Sequence, residues 1–181
     1  MYDSYSAKVI PSLEDAISYH DEQIRIFSQY DINYVNVITM PSLIEAKGIA
    51  QVIEKYDLEY TIGFKLDDSS RLLDGHNLDE AILEIDATTQ RKPIGYLVYC
   101  THASVMFQLN PMNPAYRRVI GVKANASNLS AEELVSSEKA IADSPEIFGN
   151  ELHDLKDQFH LRILGGCCGT SAKHLEAILT Y

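Results

Sequence analysis

Apolar residues recur at helical spacing through Leu13, Ala16, Ile17, Ile24 and Phe27, which predicts an amphipathic helix over PSLEDAISYHDEQIRIFSQY, opened by Pro11 and Ser12. The pattern then changes. NYVNVI (33–38) is short and rich in β-branched residues, the signature of a buried strand. SLIEAKGIAQVIEKY returns to helical period, with Ser42 as N-cap and Glu45 in capping-box position. The alternation continues with strand YTIGFKL (60–66), helix NLDEAILEIDA (77–87), strand IGYLVYC (94–100) and the short helix ASVMFQL. RVIGVKA (118–124) reads as strand, and SAEELVSSEKAIA as helix with its own capping pair, Ser130 and Glu133. Helix EIFGNELHDLKDQF, strand LRILGG and helix SAKHLEAILTY complete the series.

One helix followed by five strand–helix units calls for a parallel sheet with helices outside it, doubly wound or barrel-like. No composition shift or linker divides the chain, so its 181 residues are expected to form one domain. In both architectures the chemistry sits at the C-terminal ends of the strands. That makes the strand-end residues Phe64 and Asp67 candidates for a pocket wall.

Composition narrows the function. A net charge of −11 disfavours a nucleic-acid surface, which relies on clustered Lys and Arg. No run approaches the roughly 18 apolar residues of a membrane span, and the N-terminus lacks the pattern of a signal peptide. Three cysteines with no export signal point to thiols in a reducing, cytoplasmic setting. The expectation is an acidic, cytoplasmic protein acting on small molecules.

The cysteines carry the sharpest signal. Cys100 ends the third strand, and Cys167 and Cys168 follow the fifth inside GGCCG. All three therefore fall at one edge of a parallel sheet. With one strand between them, the strand tips stand about 10 Å apart, a gap that side chains and a glycine-flanked loop can close. Three thiolates without a fourth protein ligand suit zinc with an open coordination position, where a bound thiol loses its proton and becomes a nucleophile. The chemistry suggested is alkyl transfer to a thiol. Read individually, each is also a candidate small buried core residue. His102, two residues after Cys100, is a candidate fourth ligand, but is expected instead to open the next helix.

The segments LGGCCGT (164–170), GYLVYCTHAS (95–104) and GVKANAS (121–127), with SYHDEQI, MPSLIEAKGIA and RLLDGHNL, resemble the homocysteine S-methyltransferase family over essentially the whole chain. The resemblance implies a (β/α)8 TIM-type barrel, and a reaction that moves a methyl group to homocysteine from a donor such as S-methylmethionine or betaine, within methionine biosynthesis. It implies zinc as cofactor, with Cys100, Cys167 and Cys168 as ligands. Asn125 is implied as a contact to the substrate or the strand-end loop, and Phe64 and Thr39 are further candidates for the substrate pocket.

The sequence also departs from the family pattern. Ile38-Thr39 stands where the family carries Glu-Thr, and Tyr99 stands where an Asn precedes the first zinc cysteine. The family domain begins with three more strand–helix units, and a full barrel takes about 250 residues. Residues 1–181 are thus expected to correspond to the last five units, with the first three absent. Five units leave two raw sheet edges and an apolar inner face, for which Val35, Val37 and Ile163 are the expected contributors. The expected partners are therefore homocysteine and a methyl donor, together with a second copy or a complementing fragment. The alternative to an enzyme is a truncated, catalytically impaired barrel that keeps zinc for structure or binds a partner through its edges. A third possibility sets the resemblance aside and leaves a generic α/β domain with buried cysteines.

Overall fold

A computed structural model describes residues 10–129 and 141–180 of the chain. Ser130 and Glu133, the expected capping pair, lie outside the described residues. Among those described, five parallel strands form one sheet in sequential order: β1 (Val35–Met40), β2 (Tyr60–Phe64), β3 (Gly95–His102), β4 (Val119–Asn125) and β5 (Ile163–Gly166). Sequential parallel order is that of a stretch of barrel wall, with no strand reversal of the Rossmann kind.

Helices connect the strands: α1 (Leu13–Phe27), α2 (Leu43–Lys55), α3 (Leu78–Thr88), α4 (Ala103–Met106), α5 (Pro145–Phe159) and α6 (Ala172–Leu179). Their starts follow from capping chemistry. The Ser12 hydroxyl accepts from the Asp15 N–H, Ser42 from Glu45 and Ser144 from Ile147, so each satisfies an orphan donor of a first turn. Glu45 does not complete its box; its carboxylate goes to His20 on α1, 3.3 Å away, and both side chains are buried. That contact and the packing of Ala16 against Gly48 set the α1–α2 distance: a Cβ added at Gly48 would stand 2.5 Å from that of Ala16. The short helix over 103–109 stops at Met106, and a 3-10 turn at Pro114–Arg118, unmarked by hydrophobic period, leads into β4.

The main core lies between the sheet and its helices. Tyr60, Ile62, Phe64, Tyr96, Val98 and Val122 from the strands meet Ile53, Ile82, Ile85, Phe148 and Leu152 from the helices. Among the described residues, the buried apolar cluster on the other face of the sheet is small, made of Leu97, Tyr99 and Ile120. Period-two alternation decides which residues face which side. Val35 and Val37 are buried, with Val35 and Val37 both in the main core, so these two are not on the inner face as the sequence suggested. Their alternates Asn36 and Ile38 are exposed; Ile163, at 43% exposure, is open as expected. Among the described residues no helix is long and apolar enough to cross a membrane.

Three tyrosines place phenols inside this core. Burial pushes Tyr60 and Tyr116 up to about 12, and Tyr96, whose hydroxyl donates to Asp86 at 2.9 Å, higher still. An acid raised in the folded state stabilises while it stays neutral, so this contribution is complete below about pH 10 and is lost as pH climbs through about 12. Urea denaturation should show a midpoint that falls steeply between pH 10 and 12, and Tyr60→Phe should flatten part of that fall.

Candidate metal centre

The parallel ladder puts the C-terminal ends of all five strands at one edge, and β4 organises what happens there. Cys167 donates its N–H to the Ala124 carbonyl at 2.7 Å, and Ala126 donates to the Cys168 carbonyl at 2.9 Å, so the cysteine turn continues the β4–β5 ladder. Asn125, the last residue of β4, bridges both sides. Its Nδ2 donates to the Cys100 carbonyl at 3.0 Å, and its Oδ1 accepts from the Cys168 N–H at 3.2 Å. The Cys100 carbonyl accepts a second bond from Lys65 Nζ at 3.0 Å. Gly169, with φ of 78°, and the Thr170 hydroxyl, bonded to the Cys167 carbonyl at 2.7 Å, close the turn.

Two strands break their registers at this edge, β1 between Val37 and Met40 and β3 between Tyr99 and Thr101. Within the breaks Thr39 and Cys100 take φ of 57° and 48°, left-handed backbone that costs a side-chain-bearing residue about 1–2 kcal/mol. The irregularity re-aims both side chains, as bulges beside functional sites do. Thr39 Oγ1 and Cys100 Sγ come within 4.0 Å.

The result is a cluster of three thiols. The sulfurs of Cys100, Cys167 and Cys168 all lie within 4.8 Å of one another, with Cys100 buried, Cys167 half-buried and Cys168 exposed. Zinc–sulfur bonds of about 2.3 Å set tetrahedral sulfurs about 3.8 Å apart, so sub-ångström adjustment would seat an ion. Burial first, and then the Cys100 thiol beside it, pushes the Cys167 thiol up to about 12. Crowded thiols resist ionisation, and a cation among them reverses that preference. A cavity of about 420 Å³ opens onto the cluster, lined by Lys65, Cys100, His102, Ser104, Asn125 and Cys168 among others.

Of the residues singled out from sequence, Cys100, Cys167, Cys168, Asn125 and Thr39 come together here. Phe64 does not join them: its ring is fully buried and stacked on Tyr96 at 6.0 Å, inside the main core. Asp67 caps its own turn, accepting from the Ser69 and Arg71 N–H groups. His102 is the N-cap of α4, and His20 serves the α1–α2 contact. Sequence reasoning missed Lys65, and it missed Asp143 and Glu151, which gather around His102 at this edge. A lysine at a strand end carried no pattern, and the other two are distant from His102 in sequence.

The sequence matches the profile of the family described as homocysteine S-methyltransferase over residues 1–180. No individual curated protein matches it significantly. Among solved structures the chain resembles the Escherichia coli homocysteine methyltransferase MmuM in three forms. The oxidized form aligns at 19% identity and TM-score 0.66, covering 97% of this chain and 55% of that one. The metallated form gives 18% and 0.63, covering 97% and 54%, and the apo form 17% and 0.64, covering 94% and 57%. The chain thus spans about half the length of the structures it matches, and these likenesses establish the fold.

If the left-handed backbone at position 100 serves the thiol and not the sheet, glycine should relieve it and a β-branched residue aggravate it. Thermal denaturation of the metal-free protein should place Cys100→Gly above Cys100→Val by at least about 1 kcal/mol.

Proposed function

This chain belongs to the homocysteine S-methyltransferase family, and we propose that Cys100, Cys167 and Cys168 hold a zinc ion at which the thiol of homocysteine is methylated. The observation that carries the reading is the convergence of three sulfurs from two strand ends, one of them at a backbone conformation side chains avoid. Bound there, zinc would supply a positive centre that favours the thiolate form of a thiol in its open position. The chain's own residues do the rest. Three cysteines provide the ligands, Asn125 fixes Cys100 relative to Cys168, and the cavity beyond Cys168 receives the amino acid. Thr39, 4.0 Å from the Cys100 sulfur, is proposed to border the substrate.

In the transfer from S-methylmethionine, the homocysteine sulfur forms a new S–CH3 bond as the donor's sulfonium C–S bond breaks. The electron pair stays on the donor sulfur, and the thiol proton leaves to solvent. Two molecules of methionine result. Betaine is the other donor class the family suggests.

A second reading is favoured by a separate observation. We take residues 1–181 as one domain contributing five of eight barrel units, and its inner face bears Tyr34, Ile38 and Ile163 in the open. Exposed apolar surface between two unpaired strand edges marks an association site. On this reading the chain acts as a zinc-binding half-barrel that needs a second copy or a complementing fragment, and alone it turns over slowly because Ile38 offers no carboxylate.

Purified, reduced protein should contain one zinc per chain, and Cys167→Ser with Cys168→Ser should lose it. Equal zinc in the wild type and the double variant would refute the ligand assignment. Light scattering beside a homocysteine methylation assay separates the two readings. An active monomer, at about 1 per second or faster, supports the enzyme; an assembly of copies with negligible turnover supports the half-barrel module.

A further inference from the structure

A second set of donors stands behind His102, which lines the same cavity, and takes no part in the thiol cluster. His102 Nε2 lies 2.8 Å from Asp143 Oδ2 and 3.8 Å from Glu151 Oε2, and one donor atom from each residue falls within 4.8 Å of the others. The three come from different places: the end of β3, the residues leading into α5, and the second turn of α5. His102 is 8% exposed. Its other ring nitrogen, Nδ1, meets the Ser104 hydroxyl at 2.8 Å, which fixes the ring plane.

The unexplained member is Glu151. Its Oε2 is buried and has no hydrogen-bond partner. A buried carboxylate oxygen without a hydrogen bond is costly, so such an atom calls for a partner. Asp143 is meanwhile held firmly from behind. Its N–H donates to the Ala126 carbonyl at 2.6 Å, and its carbonyl meets His174 Nε2 at 3.0 Å. One donor is thus fixed by backbone bonds, one by its ring partner, and the third points in unpaired.

We propose that His102, Asp143 and Glu151 form a second cation site, holding a first-row divalent ion through one imidazole nitrogen and two carboxylates. The donor set is of the nitrogen–oxygen kind that suits manganese, iron or zinc, and it differs from the soft thiolates beside it. Six-coordinate bonds of about 2.1 Å keep neighbouring donors about 3 Å apart, a value bracketed by the 2.8 and 3.8 Å separations here. Binding an ion at Nε2 puts the imidazole proton on Nδ1, which then donates to the Ser104 hydroxyl and gives up the 3.2 Å cap bond it otherwise accepts from the Ser104 N–H. The remaining coordination positions are filled by water. Such an ion would tie the end of β3 to α5 and, through Asp143, to the end of β4 and to His174 on α6. It would brace the cavity wall without touching the sulfurs.

The experiment uses manganese(II) alone as probe, on full-length protein first stripped of metal with a chelator, because thiolates are poor manganese ligands. Electron paramagnetic resonance titration should show one bound ion per chain in the wild type and in Cys167→Ser, and bound manganese should raise the melting temperature of both. Glu151→Gln, which keeps shape and removes charge, should weaken binding by more than about a hundredfold, beyond what the loss of an outer metal partner commonly brings. Circular dichroism confirms that each variant is folded, and Asp143→Asn gives the same loss if Glu151→Gln does not fold. The proposal is overturned if the wild type binds no manganese at millimolar concentration. It is equally overturned if Glu151→Gln and Asp143→Asn bind as the wild type does, or if Cys167→Ser alone abolishes binding. Because Cys167→Ser is expected to lose zinc yet keep manganese, failure here and failure of the zinc assignment are distinguishable.

Discussion

The Asn125 side chain is the contact on which the functional edge depends. A primary amide offers donors at one end and an acceptor at the other. At the end of β4 it uses both, one toward Cys100 on β3 and one toward Cys168 beyond β5. No backbone ladder could do this, because β3 and β5 are not neighbours. The parallel sheet brings the strand ends to one edge; Asn125 converts that edge into a defined separation between two cysteine segments. Ala124 and Ala126 on either side bond the backbone of Cys167 and Cys168, so the amide and the backbone around it together position all three cysteines.

The sequential strand order was legible only through the resemblance to the family, since the alternation fits a doubly wound sheet equally well. Element type was legible in the sequence because it rests on periodicity, and periodicity survives in a single chain. The cysteine edge was legible for the same reason: once strand ends are located, parallel pairing puts Cys100, Cys167 and Cys168 together. Facing was harder. Val35 and Val37 belong to the helix side, and the sequence of β1, in which Asn36 alternates with them, fits either side when both faces of a barrel wall are covered. The left-handed turns at Thr39 and Cys100 left no trace, since neither is glycine and the register breaks exist only between paired strands. Phe64 shows the opposite error. A strand end predicts nearness to a pocket, but side-chain alternation turned this ring onto Tyr96 and into the core.

Strain and open coordination belong together at this edge. Backbone at φ of 48° is retained only where surrounding structure over-determines it, and Cys100 is held by two bonds to its carbonyl, from Lys65 and Asn125. The same two donors bond a carbonyl of a residue that lines the cavity. Lys65 and Asn125 thus act at once on backbone strain and on cavity polarity.

The two faces of the sheet are built to different rules, and the difference explains how an open barrel wall keeps its shape. The helix side is filled with large apolar side chains, among them Tyr60, Phe64 and Tyr96. The inner side substitutes a polar lattice. Thr61 donates to Asn36 at 2.9 Å, Asn36 donates to the Tyr99 hydroxyl at 2.8 Å, and Lys123 Nζ sits 5.6 Å from the Tyr99 ring centroid. Tyr99 lies so close over β2 that a Cβ at Gly63 would come within 2.1 Å of its ring, so the small residue beneath fixes where the ring lies. Hydrogen bonds across β1, β2 and β3 therefore brace a surface that apolar packing leaves half covered. Open apolar side chains stand at the flanks, Tyr34 and Ile38 at β1 and Ile163 on β5, the two strands whose outer edges have no neighbour in the five-stranded sheet.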